Sequence, residues 1–316
     1  MPLSLRLALC ACLAGLAIAQ SPQAAIVGVL RDATGAVVPE ASIAIRNSGT
    51  NAVRQVKSDR EGRFSVPNLD PGIYEVTAEV AGFQTLHETG FELQVNQTAR
   101  LELTLKLGSV SETVEVTAQT PLINTENATK GDVLVSQEIS ELPLNGRNFQ
   151  DLTFLAPGVS QTGQGDTGSP FAINGARNDD TNYFIDGVNA RRPEFGQTQT
   201  SPNLDSIKYL KVSKSNYSAE YGQLSGGVIS VALKSGTNQT HGVSFEFFRN
   251  DKLDARNFFS ADKPELRRNQ FGGLLSGPVW LPRVYNGHNR TFFLFSWESY
   301  RDATGNTDVT LAPTLR

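Results

Sequence analysis

Cysteine is almost absent from this chain of 316 residues, and its two examples, Cys10 and Cys12, both fall near the start. Arg6, the apolar run Leu7 to Ala17 and the small-x-small triplet Ala17-Ile18-Ala19 before Gln20 predict a secretory signal peptide over residues 1–19. Cleavage after Ala19 leaves a mature chain without a thiol, which excludes disulfide staples and cysteine chemistry. Lipid attachment at Cys12 is the alternative, although the apolar run continues past it. Histidine is scarce too. His87, His241 and His288 are scattered, and none has a partner at metal-site spacing. His87-Glu88 is not the His-x-x-Glu pair of a zinc carboxypeptidase, so no metal, cofactor or catalytic residue is expected.

Neither sign of charge dominates. The 28 basic and 32 acidic residues give a formal net charge of −4, or −5 once Arg6 leaves with the signal. Arg191-Arg192 and Arg267-Arg268 are isolated pairs, too small for a nucleic-acid surface, and are expected in solvated loops. No nucleic-acid partner is expected. After the signal no apolar run reaches the roughly 18 residues of a spanning helix, but transmembrane strands need only about 9–11 residues and escape such a search.

What is present is strand grammar, so the chain is expected to be mainly β. Within 20–107, the turn signals Asp32-Ala33-Thr34-Gly35, Asp59-Arg60-Glu61-Gly62 and Asp70-Pro71-Gly72 separate about seven short alternating runs. Leu101, Leu103 and Leu105 alternate with Arg100, Glu102 and Thr104; Tyr74, Val76 and Ala78 alternate with Glu75, Thr77 and Glu79. An antiparallel β-sandwich is expected, its three turn aspartates serving the turns and not acid–base chemistry. The segments Gly28-Val29-Leu30-Arg31-Asp32, Val38-Pro39-Glu40-Ala41, Asp59 to Phe64 and Leu69 to Tyr74 carry a resemblance to the carboxypeptidase regulatory-like domain. That resemblance implies a non-catalytic, transthyretin-like sandwich, also grouped with carbohydrate-binding-like folds. A spacer or docking role weighs more than a glycan site.

From 119 to 238 the texture turns rich in glycine and asparagine. Glu138 to Leu144 predicts a short helix stopped at Pro143, Gln150 to Leu155 a helical turn, and Leu204 to Val212 a further helix leading to a strand. Phe184-Ile185-Asp186-Gly187-Val188 predicts a strand and a type I′ hairpin turn, and Gly226 to Leu233 a strong strand. Asn145-Gly146-Arg147-Asn148, Phe184 to Val188, and Ala219-Glu220-Tyr221-Gly222 running to Ile229 together resemble the plug domain of TonB-dependent receptors. The resemblance implies a small α+β domain lodged in a barrel. Continued through Lys234 to Asn238, His241-Gly242, Phe247 to Asn250 and Leu253 to Asn257, it is similar to the Oar-type branch, in which a regulatory-like sandwich commonly precedes plug and barrel. Asn178, Asp179, Asp180 and Asn182 offer oxygen ligands without a complete calcium-loop pattern and are expected to be a solvated loop. Gly222 and Gly226-Gly227 lack the Gly-Lys-Ser/Thr of a phosphate loop.

Residues 239–316 read as the first strands of a transmembrane β-barrel. Val243, Phe245 and Phe247 alternate with Ser244 and Glu246; Phe271 to Val279 is a second strand; Phe293, Phe295 and Trp297 alternate with Ser296 and Glu298 in a third. A turn is expected over Arg283 to Arg290 with Asn286-Gly287 at its tip. A soluble sandwich gives the same alternation. Barrels of the resembled kind have about 22 strands and need roughly 220 residues in strands alone, against 78 here, so an incomplete barrel in a fragment or truncated product is expected.

Residues 108–118 are expected to be a linker holding Glu112-Thr113-Val114-Glu115-Val116-Thr117-Ala118. Its alternating β-branched residues resemble the TonB box, the stretch by which such receptors pair with their periplasmic energy transducer. The competing reading is the sandwich's last strand. The leading expectation is therefore the N-terminal part of an outer-membrane receptor for energised uptake, with TonB, membrane lipid and an imported ligand as partners. The alternative is a secreted or surface adhesin that binds glycan or protein through the sandwich. A secreted carboxypeptidase is disfavoured by the missing zinc ligands.

Overall fold

The computed structural model describes residues 24–108, 113–117, 130–142, 144–162, 170–194, 196–222, 224–256, 258 and 263–305. The expected signal peptide, Glu112 and Ala118 lie outside them.

The sandwich opens with β1 (Ala24–Asp32), β2 (Ser42–Asn47), β3 (Val53–Lys57) and β4 (Arg63–Leu69). It continues with β5 (Gly72–Glu79), β6 (Thr85–Leu93), β7 (Thr98–Leu105) and β8 (Thr113–Thr117). One sheet runs β4-β1-β7 and the other β3-β2-β5-β6-β8. Period-2 burial places Ile26 and Leu30 from one sheet against Ile43, Ile45 and Leu93 from the other, all fully buried. Leu101, Leu103 and Leu105 point inward as expected. Two pairings depart from a purely antiparallel sandwich: β1 with β7, and β6 with β8, are parallel. The chain visits the second sheet between β4 and β7, so β7 returns in the direction of β1.

The turn aspartates act on the backbone. Asp32 Oδ1 accepts from the amides of Thr34 and Ala36 at 2.8 and 2.9 Å, and Asp59 Oδ1 from those of Glu61 and Arg63 at 2.9 and 2.8 Å. Gly62, at φ +70°, closes the second turn, where a side chain would meet the Leu30 carbonyl oxygen at 2.7 Å.

The plug begins with β9 (Lys130–Val135) and α1 (Ser136–Glu141), followed by β10 (Val159–Gln161), β11 (Phe171–Ile173) and β12 (Asn182–Ile185). Then come β13 (Val188–Asn189), β14 (Ile207–Ser215) and β15 (Val228–Leu233). Its main sheet runs β13-β12-β15-β14-β9, with only β12 and β15 parallel. Glu138 reaches back to accept from the Val135 amide at 3.1 Å, which caps α1, and the helix stops before Pro143. A 3-10 helix spans Phe149–Leu155. The hairpin turn between β12 and β13 has Asp186 at φ 47° and Gly187 at φ 78°, the positive values that a type I′ turn demands.

One expectation holds only in part. Leu204 to Val212 is helical only as a 3-10 turn at Leu204–Ser206, and the strand that follows, β14, begins already at Ile207. The run is apolar because both of its faces are covered, and a doubly covered strand shows no alternation.

The second compact unit begins at Ser235. It holds β16 (His241–Asn250), β17 (Leu266–Pro278), β18 (Trp280–Leu281), β19 (Tyr285–Asn286) and β20 (Phe292–Thr304). The long strands form an antiparallel sheet β16-β17-β20. Asn286 is not at a turn tip: it pairs with Trp280, and the β18–β19 turn lies at 282–284 with Arg283 at φ 62°. Arg267 and Arg268 lie in β17, not in a loop, and Arg268 Nη2 bonds Asp302 Oδ2 at 3.0 Å.

Register decides which side chains share a face. Gly273 pairs with Trp297, Leu275 with Phe295 and Gly277 with Phe293, so the β20 aromatics stand with Leu275 on one face. Gly272 pairs with both Phe245 and Glu298, and Gln270 with both Phe247 and Tyr300. The apolar set of β16 therefore lies on the opposite face from Phe293, Phe295 and Trp297. That face also carries the Gln270–Glu298 hydrogen bond and the Arg268–Asp302 pair.

Candidate functional site

Thr113–Thr117 is placed as the last strand of the five-stranded sandwich sheet. It pairs with β6 from Thr85↔Thr113 to Thr89↔Thr117. The segment expected as a linker is thus in part a sheet-edge strand, extended and held on one side. Among the described residues no strand pairs with its other side.

The plug sheet has a core on each face. On one, Ile139, Phe149, Leu152 and Phe171 pack with Leu210, Val212, Ile229 and Val231. On the other, Tyr209 and Ala232, flanked by Val133 and Val135, enclose Val95 from the sandwich turn between β6 and β7; Val95 is 0% exposed. Polar contacts frame this patch. The Tyr209 hydroxyl donates to Glu92 Oε1 at 2.9 Å, Lys208 Nζ to the Pro71 carbonyl at 2.7 Å, and Lys211 Nζ to the Asn96 carbonyl at 3.4 Å. A crevice of about 460 Å³ opens beside it, lined by Asn68, Asn96 and Gln97 of the sandwich and by Lys211, Tyr217 and Glu220 of the plug.

Burial lowers the pKa of Lys208, against the pull of Glu92 and Asp70, and burial lowers that of Lys211. Burial, then Glu92, raises that of the Tyr209 phenol. Separated lysines therefore hold protons more tightly than docked ones, so docking is expected to strengthen as pH rises from neutral toward about 10. Above that the separated phenol loses its proton while the docked one keeps it, and docking weakens. Energy transfer between one fluorophore on each domain, followed across this range, checks both limbs.

The plug motifs prove structural. Arg147, at φ 51°, forms a buried ion pair with Asp205, 58 positions away. Asp186 Oδ1 accepts from the Leu233 amide at 2.9 Å, tying the hairpin to β15, and burial raises its carboxyl's pKa. Asp180 Oδ2 accepts from the Ser225 hydroxyl at 2.9 Å and Asn182 Nδ2 donates to the Tyr221 carbonyl at 3.2 Å, which occupies part of the oxygen-rich loop. Among the described residues no group of His, Cys, Asp and Glu could hold a metal ion. Sequence reasoning missed the docking set Glu92, Val95, Lys208, Tyr209 and Lys211. Its one signal was a strand whose lysines sit among apolar residues on both faces.

Three family models match in order: the carboxypeptidase regulatory-like domain over residues 25–106, the TonB-dependent receptor plug domain over 124–229 and the outer membrane beta barrel domain over 232–316. The chain thus carries a TonB-dependent receptor plug domain between a regulatory-like domain and an outer-membrane β-barrel domain, and its place is the outer membrane. It is similar to the TonB-dependent transporter Oar of Myxococcus xanthus, at 27% identity over 279 residues, 82% of this chain and 26% of that protein. It is also similar to the probable TonB-dependent siderophore receptor PirA of Acinetobacter baumannii, at 27% over 202 residues, 57% of this chain and 25% of that one. The chain spans about a quarter of the length of these curated relatives. The crystal structure of that siderophore receptor matches with a TM-score of 0.39 and 23% identity, over 55% of this chain and 24% of the other.

Proposed function

We propose that this chain forms the sandwich, plug and first barrel strands of a receptor for energised uptake, and that Glu112 to Ala118 is where the energy transducer takes hold. The observation that carries this reading is an extended edge strand, Thr113–Thr117, which closes the sandwich sheet and precedes in the chain β9, the edge strand of the plug sheet. The transducer pairs with the strand from the periplasmic side, and force applied there remodels the plug so that ligand bound outside can pass. A few strand hydrogen bonds, each with a net worth of about 0.5–1.5 kcal/mol, suit a grip that forms and releases. The sheet β16-β17-β20 belongs to the barrel wall, with Phe293, Phe295, Trp297 and Leu275 toward lipid and Gln270, Glu298, Arg268 and Asp302 toward the lumen.

Val116→Pro removes a strand donor. In the full-length receptor it is expected to abolish energy-dependent uptake and transducer crosslinking while ligand still binds at the cell surface. Unchanged uptake together with unchanged crosslinking would rule out this assignment of the segment.

A further inference from the structure

We propose that the sandwich is the handle of the plug: it displays β8 for the transducer and passes the pull on through its own docking face. The proposal rests on the transducer reading of residues 112–118 and adds a receiving surface and a force path.

The displayed surface is the open edge of β8. A strand has two hydrogen-bonding edges, and β6 uses only one of them, over the five positions 113–117. Among the described residues the sheet order β3-β2-β5-β6-β8 leaves the other without a strand partner. A partner with an exposed sheet edge of its own can add as a sixth strand without displacing β8. Because β8 is already extended, such a partner avoids the ordering cost that a loose linker would impose. An unpaired edge is normally blunted or covered, since it invites pairing, and an edge kept open suits a surface meant to be joined.

The force path is the docking patch. A pull on a strand that stays in its sheet is borne by the sandwich as a whole, and the sandwich is fastened to the plug sheet. Val95 sits among Tyr209, Ala232, Val133 and Val135, with Glu92 on the Tyr209 hydroxyl and Pro71 on Lys208. Two of these plug residues, Lys208 and Tyr209, and also Lys211, whose Nζ bonds the Asn96 carbonyl, lie on β14, which pairs on its two sides with β15 and β9. Load therefore enters the plug at an interior strand of its sheet.

The test locks β8 to β6. Thr89→Cys with Thr117→Cys joins facing positions in a mature chain expected to contain no other cysteine. In the full-length receptor in cells, the oxidised pair is expected to crosslink to the transducer and support uptake within twofold of the reduced pair. A tenfold loss on oxidation, restored by reduction, would show that β8 must leave β6 and overturn the proposal. So would failure of the disulfide to form above the background of either single variant. A second arm separates handle from plug. Val95→Asp, and independently Tyr209→Phe with Lys208→Ala, are expected to keep transducer crosslinking while uptake falls at least tenfold for the first. Full uptake in Val95→Asp would also overturn the proposal. Failure of the underlying segment reading looks different: no adduct at 112–118 in either redox state, and a harmless Val116→Pro.

Discussion

Arginine at Phe295 is expected to prevent the receptor from accumulating in the outer membrane, while arginine at Ser296, one position on, leaves it in place. The two residues stand on opposite faces of the β16-β17-β20 sheet. Phe295 pairs with Leu275 and is 62% exposed, whereas Ser296 pairs with the buried Leu274 on the face that carries Gln270 and Glu298. In a barrel wall the exposed aromatic face meets hydrocarbon, where an arginine costs about 2–4 kcal/mol near the midplane; the lumen face meets water and polar groups. A loss of 3 kcal/mol is more than a hundredfold in an equilibrium between inserted and uninserted protein. Heat-modifiable migration of the assembled barrel and its abundance in membrane fractions read the difference. Equal effects at the two positions would mean that the sheet is not a membrane wall.

The other large effect is expected inside the plug. Arg147→Ala leaves Asp205 buried with its guanidinium partner gone; the two side chains are 5% and 11% exposed. Removing one member of a buried pair costs about 3–5 kcal/mol, because the remaining charge has lost its compensation. The pair joins the Asn145-Gly146-Arg147-Asn148 turn to the 3-10 turn that starts β14, so local opening should spread across both. Hydrogen exchange in the assembled receptor should accelerate over 144–156 and 204–212 and leave the sandwich β1–β7 unchanged. A double replacement by apolar residues of similar volume should recover most of the loss, since it removes both charges together. If Arg147→Ala alone leaves exchange unaltered, the pair does not organise the plug.

How much of this was readable from the sequence depends on whether a feature is local. The type I′ turn at Asp186-Gly187 and the aspartate turns at Asp32 and Asp59 were readable, because the chemistry that builds each lies within a few residues. Alternation gave the sandwich strands and the long strands of the last unit. Four things were not local. In Leu204 to Val212 the helix was expected to run further before the strand than it does, because a strand covered on both faces has no period to read. The facing of Phe245 and Phe247 depends on the register with Gly272 and Gln270, and each strand's own pattern is silent on that. The alternation of 113–117 was compatible with a strand from the start, but nothing in those five residues specifies β6 as the neighbour. The docking patch was hidden for the same reason: Glu92 and Tyr209 are 117 positions apart, and neither type is unusual where it stands.

The plug sheet's second core has a mechanical corollary. Lifting the sandwich away would wet Val95, Tyr209, Ala232, Val133 and Val135 together, and water resists that exposure at every moment the parts are held apart. The contact is therefore a spring set toward closure. A sandwich pulled loose is therefore drawn back onto the plug sheet once the load is released.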